Sequence, residues 1–136
     1  MIISTVTAVL PADIKTVWNV VTNNGDTGWR SDLDHVEISP DGKTFVEFTK
    51  EGFSTQFFIT EKDEYRRYRF SMENARFTGE WAGEFFPAEN GGTKLVFTKR
   101  IQVKNPILRL LARFFMPVRK MQEAYVADLR QKLTAV

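Results

Sequence analysis

His35 is the single histidine of the chain and lies beside Asp32 and Asp34, a grouping that could hold a metal ion or supply a general base. With no second histidine and no cysteine it is poor material for a transition metal, and a surface or satisfied structural role is the simpler reading. Glu80 and Glu84 stand two strand positions either side of Ala82. Carboxylates so placed could flank a substrate as an acid–base pair; more often they form the solvated side of an amphipathic strand. Arg67 and Arg69 alternate with Tyr68 and Phe70, a mixture that can bind single-stranded nucleic acid by stacking and charge. Strand alternation, with aromatics inward and arginines outward, explains them more simply. Trp29 and Arg30 lie in the loop-like stretch TGWRSDLDHV. Loops carry function more often than strands do, and a Trp in one needs a surface to cover. No catalytic motif can be matched position by position, and neither a catalytic residue, a metal ligand nor a cofactor is assigned.

These side chains must be positioned by elements that the pattern makes plain. Ile2 to Leu10 alternates as a strand rich in β-branched residues. Pro11-Ala12-Asp13 starts a helix whose buried side is Ile14, Val17, Trp18 and Val21. From Asp34 to Val103 the segments HVEIS, KTFVEFT, STQFFIT, YRRYRFSME, FTGEWAGEFF and TKLVFTKRIQV are separated by short turns, of which Ser39-Pro40-Asp41-Gly42 and Glu89-Asn90-Gly91-Gly92 are the clearest. Such short connections join neighbouring antiparallel strands into a meander. In the fifth segment Phe77, Gly79, Trp81, Gly83 and Phe85 share one face. Glycines among aromatics allow a bulge or a close approach and so a bent sheet.

The chain closes on a run from Asn105 to Val136, with Asn105 as N-cap and Pro106 at the first helical position. Ile107, Leu111, Phe114, Val118, Met121, Tyr125, Leu129 and Leu133 recur at helical spacing. One unbroken helix here would span roughly 45 Å, but Pro117 predicts a kink or break. Met116 falls off the apolar face: either the kink turns it, with Phe114 and Phe115, toward a pocket mouth or a membrane, or it is an ordinary exposed apolar residue.

At 136 residues one domain, 1–136, is expected. Twelve Phe, with 3 Trp and 3 Tyr, favour a large apolar interior, either filled or hollow. The net charge of +2 is uneven. Residues up to Thr98 carry 10 Lys/Arg against 15 Asp/Glu, and the remainder 9 against 2. A basic helix on an acidic body is one reading, attraction to anionic lipid or an acidic partner the other; nucleic acid is not expected. No apolar run reaches membrane-spanning length, and the opening MIISTVTAVLPAD lacks the basic start of a signal peptide. The absence of cysteine is compatible with a reducing compartment, and a cytoplasmic location is expected.

The opening VLPADIKTVWNVVTN, the loop GWRSDL, and GEWAGEFFPAENGGTKLVFTKRIQV running into NPILRLLARFF resemble the START-like, helix-grip superfamily (SRPBCC) over essentially the whole chain. The resemblance is closest to small bacterial polyketide-cyclase/dehydrase-like and lipid-transport-like members. It implies an α+β fold: a curved seven-stranded antiparallel sheet wrapped around a long C-terminal helix, with one or two short helices between the first two strands. It also implies an apolar pocket between sheet and helix, with the Trp29 loop near the entrance; the alternative is a Trp that plugs one end of the core. The expected function is binding of a small hydrophobic or amphipathic molecule of lipid, polyketide or aromatic type, by a monomer or dimer. Expected ligand contacts are Trp29, Arg30, Phe57, Glu80, Trp81, Phe97, Phe114, Val118 and Tyr125, with Arg30, Glu80 and Tyr125 as polar anchors. The alternatives are a cyclase/dehydrase- or hydratase-like enzyme, and a module docking its basic helix on membrane or protein.

Overall fold

The computed structural model describes residues 1–115 and 117–134, with the backbone alone described at 111–115. Strand β1 (Ile2–Leu10) leads through helix α1 (Ile14–Thr22) into β2 (Leu33–Ile38), β3 (Thr44–Thr49), β4 (Ser54–Asp63), β5 (Arg67–Glu73), β6 (Phe77–Pro87) and β7 (Thr93–Val103). Helices α2 (Pro106–Phe115) and α3 (Val118–Thr134) follow. The sheet is antiparallel and seven-stranded in the order β1-β7-β6-β5-β4-β3-β2, so β2 to β7 form the meander and β1 adds beside β7. This is the α+β helix-grip arrangement.

Local chemistry accounts for the boundaries. Asp13 Oδ1 accepts from Thr16 N at 2.8 Å and caps α1. Asn105 Oδ1 accepts from Ile107 N at 2.9 Å and caps α2. In the β4–β5 turn Tyr65 takes a left-handed φ of 66°, so β5 starts at Arg67 and the Tyr65 ring turns edge-on to Trp18 at 6.1 Å.

The C-terminal run is broken at Pro117, as its missing N–H predicts, into two helices, with α2 and α3 on either side of it. The apolar stripe read across the junction therefore does not continue. Ile107 and Met121 are exposed at 71% and 51%, while Val118, Gln122, Val126 and Leu129 are buried. Met116 and the side chains of Leu111, Phe114 and Phe115 lie outside the described residues.

The core gathers on the concave face, where Leu95, Val17 and Leu129 are completely buried. Trp18 meets Tyr68 and Phe85 edge-on at 6.1 and 5.0 Å, which seals α1 against β5 and β6. The glycines of β6 act by close approach. A Cβ at Gly79 would stand 2.5 Å from the Arg100 carbonyl of β7, and one at Gly83 would stand 2.5 Å from the Trp81 ring. The irregular registers lie elsewhere, between Leu33 and His35 and between Ile59 and Glu61. Gly79→Ala presses on backbone that cannot yield, and should cost about 1–3 kcal/mol in urea denaturation.

Candidate functional site

Alternation along the strands decides which side chains face the helix. Phe45 of β3, Phe57 of β4, Phe70 of β5, Trp81 of β6 and Phe97 of β7 all point inward and form a continuous aromatic row. Phe45 stacks on Phe57 at 4.8 Å, Phe57 meets Phe70 at 5.2 Å, and Phe70 stacks on Trp81 at 5.0 Å. Trp81 then meets Phe97 at 5.7 Å, and Phe97 meets Tyr125 of α3 at 5.7 Å. Between this row and α3 lies a partly enclosed cavity of about 180 Å³.

Polar groups collect where the loop after α1, the inner side of β3 and β7, and α3 converge. Arg30 is held by Asp32 at 2.8 Å and Glu47 at 3.0 Å, and lies 5.3 Å over the Tyr125 ring. Burial works against its charge, but Glu47 and then Asp32 outweigh it and keep the guanidinium more firmly protonated than in water. Lys99 also lines the cavity, and its ammonium is held below the usual lysine range by burial, which Glu47 only partly offsets. Burial likewise pushes the Tyr125 hydroxyl well above the usual tyrosine range. Lys99 and Tyr125 keep some accessible surface, but both line the cavity, where protein surrounds them. Gln122 of α3 donates from Nε2 to the Ser4 carbonyl at 2.9 Å, and its buried Oε1 has no partner among the described residues. Tyr68 completes this end, accepting from Asn24 at 3.2 Å.

The loop is fastened to α3. Ser31 N and Oγ both donate to Asp128 Oδ2, at 2.9 and 2.8 Å. Trp29 meets Tyr125 edge-on at 5.4 Å and donates from Nε1 to the Asp26 carbonyl. Asp128→Ala removes both Ser31 bonds and should cost about 1 kcal/mol by urea denaturation, with Ser31→Ala costing less because only one bond is lost.

Of the expected contacts, Arg30, Phe57, Trp81, Phe97 and Tyr125 line this cavity. Trp29 supports Tyr125 from outside the lining. Val118, the first residue of α3, packs into the core one turn before the residues that reach the cavity. Glu80 is corrected: the alternation that puts Trp81 inside puts Glu80 outside. It is exposed across from Arg100, in a separate surface hollow with Met1 and Gln102. The Phe114 side chain lies outside the described residues. Sequence reasoning missed Lys99, Glu47 and Gln122. The signal for Lys99 was available: Leu95, Phe97, Ile101 and Val103 are buried on one face of β7, and Lys99 falls between them on that face.

The remaining candidates stay apart from the cavity. His35 stacks on Phe48 at 4.4 Å and sits 2.6 Å from Asp34, half-exposed on β2. Among the described residues no group of three or more His, Asp or Glu is arranged to hold a metal. Arg67 and Arg69 face outward toward Glu61, while Tyr68 is buried. On α2, Ile107, Leu108 and Leu110 are exposed. Among the described residues no helix is long and apolar enough to cross a membrane.

The same architecture is found in a START superfamily protein from Mycobacterium smegmatis, with a TM-score of 0.74 over 96% of both chains at 16% identity. A conserved protein from Geobacillus kaustophilus superposes at a TM-score of 0.81, with 12% identity over 97% of this chain and 95% of that one. DynU16, a protein of the dynemicin biosynthetic locus, matches at 0.72 and 12% identity over 96% of this chain and 46% of its own. Identities this low establish the fold and nothing finer. No curated protein matches the chain. Sheet, helices and neighbours define a START-like, helix-grip fold. The chain belongs to the polyketide cyclase/dehydrase and lipid transport family, whose model matches residues 1–134.

Proposed function

We propose that this protein binds a small hydrophobic or amphipathic molecule, of aromatic or polyketide type, between the sheet and α3 without transforming it. The supporting observation is the cavity itself: an aromatic wall joined by a set of polar side chains, the usual composition of a small-molecule site. Its size narrows the occupant. An apolar cavity of roughly 150 Å³ accepts benzene, so about 180 Å³ suits a single ring or a short chain. A two-chain lipid would need the helices to move. Phe57, Trp81 and Phe97 would contact the apolar part, and Arg30 and Tyr125 the polar part. A cytoplasmic location belongs to the same proposal. Native mass spectrometry of freshly purified protein should show a co-purified small molecule. A bare chain whose melting temperature no apolar probe shifts would remove the idea.

A catalytic reading, of cyclase/dehydrase or hydratase type, is favoured by Lys99 and Tyr125, two ionisable groups displaced from their ordinary behaviour inside the cavity. It predicts that the co-purified molecule, once returned to the protein, is chemically altered on incubation; recovery unchanged speaks for binding alone. Peripheral contact with an anionic membrane is favoured by the exposed apolar side chains of α2 beside Lys104 and Arg109. Vesicle sedimentation indifferent to anionic lipid and to salt excludes it.

A further inference from the structure

Three groups lining the cavity carry no side-chain hydrogen bond or ion pair among the described residues. Among the described residues, no carboxylate lies within ion-pair distance of Lys99, although Lys99 lines the same space as Glu47. Glu47 is already taken by Arg30 at 3.0 Å, and Asp32, the other partner of Arg30, is about half exposed, so solvent screens it. Asp128, the remaining carboxylate of the lining, accepts from Ser31 N and Oγ, so Lys99 is the cation of this space with no carboxylate of its own among the described residues. Gln122 Oε1 is the second group, an acceptor with no donor on a residue only 3% exposed. Its orientation is fixed, because Nε2 is spent on the Ser4 carbonyl. Ser4 is the cross-strand partner of Lys99, and Gln122 and Lys99 both line the cavity. The third is the Tyr125 hydroxyl, one turn along α3, which no hydrogen bond engages among the described residues.

An enclosed cation with spare N–H donors calls for an anion, and an orphaned buried acceptor calls for an O–H or N–H. A purely apolar occupant would leave both unmet. We propose that the cavity takes a one-ring-sized organic acid bearing a hydroxyl group, its carboxylate on Lys99 Nζ and its hydroxyl donating to Gln122 Oε1. This rests on the reading of the cavity as a binding site. It adds the chemical class of the ligand, and it turns the depressed Lys99 from a defect of the core into an anchor, since a bound carboxylate restores the charged form that burial disfavours.

Isothermal titration calorimetry with toluene, phenol, benzoate and the three hydroxybenzoate isomers tests the assignment on the parent protein. At least one hydroxybenzoate should bind about tenfold or more tightly than phenol, the effect of one charge-assisted hydrogen bond. It should also bind about threefold to tenfold more tightly than benzoate. Lys99→Met should erase the advantage over phenol, and Gln122→Leu the advantage over benzoate. The ranking on the parent protein decides the matter even if a variant fails to fold. Toluene and phenol binding as tightly as every acid would overturn the assignment and leave the cavity reading intact. Binding of none of the six would overturn both.

Discussion

Lys99→Met should melt about 3–5 °C above the parent protein at neutral pH, even as it loses any acidic ligand. A charged ammonium enclosed by the aromatic row and α3 loses hydration that Glu47 only partly returns. Methionine has a similar shape and no charge to desolvate. A gain of about 1 kcal/mol corresponds to the stated shift for a chain of this length. The pH dependence checks the cause. The folded-state pKa of Lys99 lies below its ordinary 10.5, so between the two values the unfolded chain binds more protons. Stability then rises with pH across that window and carries the full cost below it. The advantage of the variant should accordingly be greatest at low pH and shrink as pH approaches 10.5. Arg30, Asp32, Glu47 and Tyr125 surround Lys99 in both proteins. Tyr125, whose pKa is raised, destabilises both folds only as pH climbs past its ordinary 10.0. A variant that melts below the parent at neutral pH would mean that Lys99 is already satisfied. That result would count against an anion site as well.

Arg30→Ala should be the most damaging single change at the polar end, costing about 2–4 kcal/mol in urea denaturation. It strips Glu47 of its one ion-pair partner among the described residues and removes the guanidinium from the Tyr125 ring. The figure sits low in the range for breaking a buried pair because the two side chains retain 18% and 14% exposure. Adding Glu47→Gln should recover part of the loss, since the orphaned carboxylate would no longer be charged. Additive losses in the double variant would show that Arg30 stabilises through its packing on Tyr125 and not through the ion pair.

The meander of β2 to β7, the Asn105 cap and the break at Pro117 were legible, because each rests on rules acting over a few residues: turn residues, a side-chain acceptor before a helix, a missing N–H. The aromatic half of the cavity was legible for the same reason, since inward positions of successive strands must share a face. The polar half was not. Lys99 is followed by Arg100 and looks like part of a basic edge until the register of β7 is taken seriously. Glu47 follows Phe45 at the same inward period and was overlooked in the same way. Glu80 was chosen for its chemistry against the alternation that already placed it outside. Gln122 was beyond reach, because the rotation of α3 after Pro117 decides which of Met121 and Gln122 is buried. That rotation is set by packing on β1, far away in sequence.

The two borders of the sheet meet the outside world on different terms. Along β1, α3 lies close, and Gln122 and Arg119 donate to the Ser4 and Thr5 carbonyls. A visiting strand would have to displace a helix there. Along β2 no such cover exists among the described residues. That border is six residues long, breaks register at Leu33/His35, and carries Asp34, His35 and Glu37. Shortness, irregularity and charge discourage a second chain from extending the sheet. A helix on one flank and charged, irregular backbone on the other thus set different obstacles to the stacking of crowded copies edge to edge.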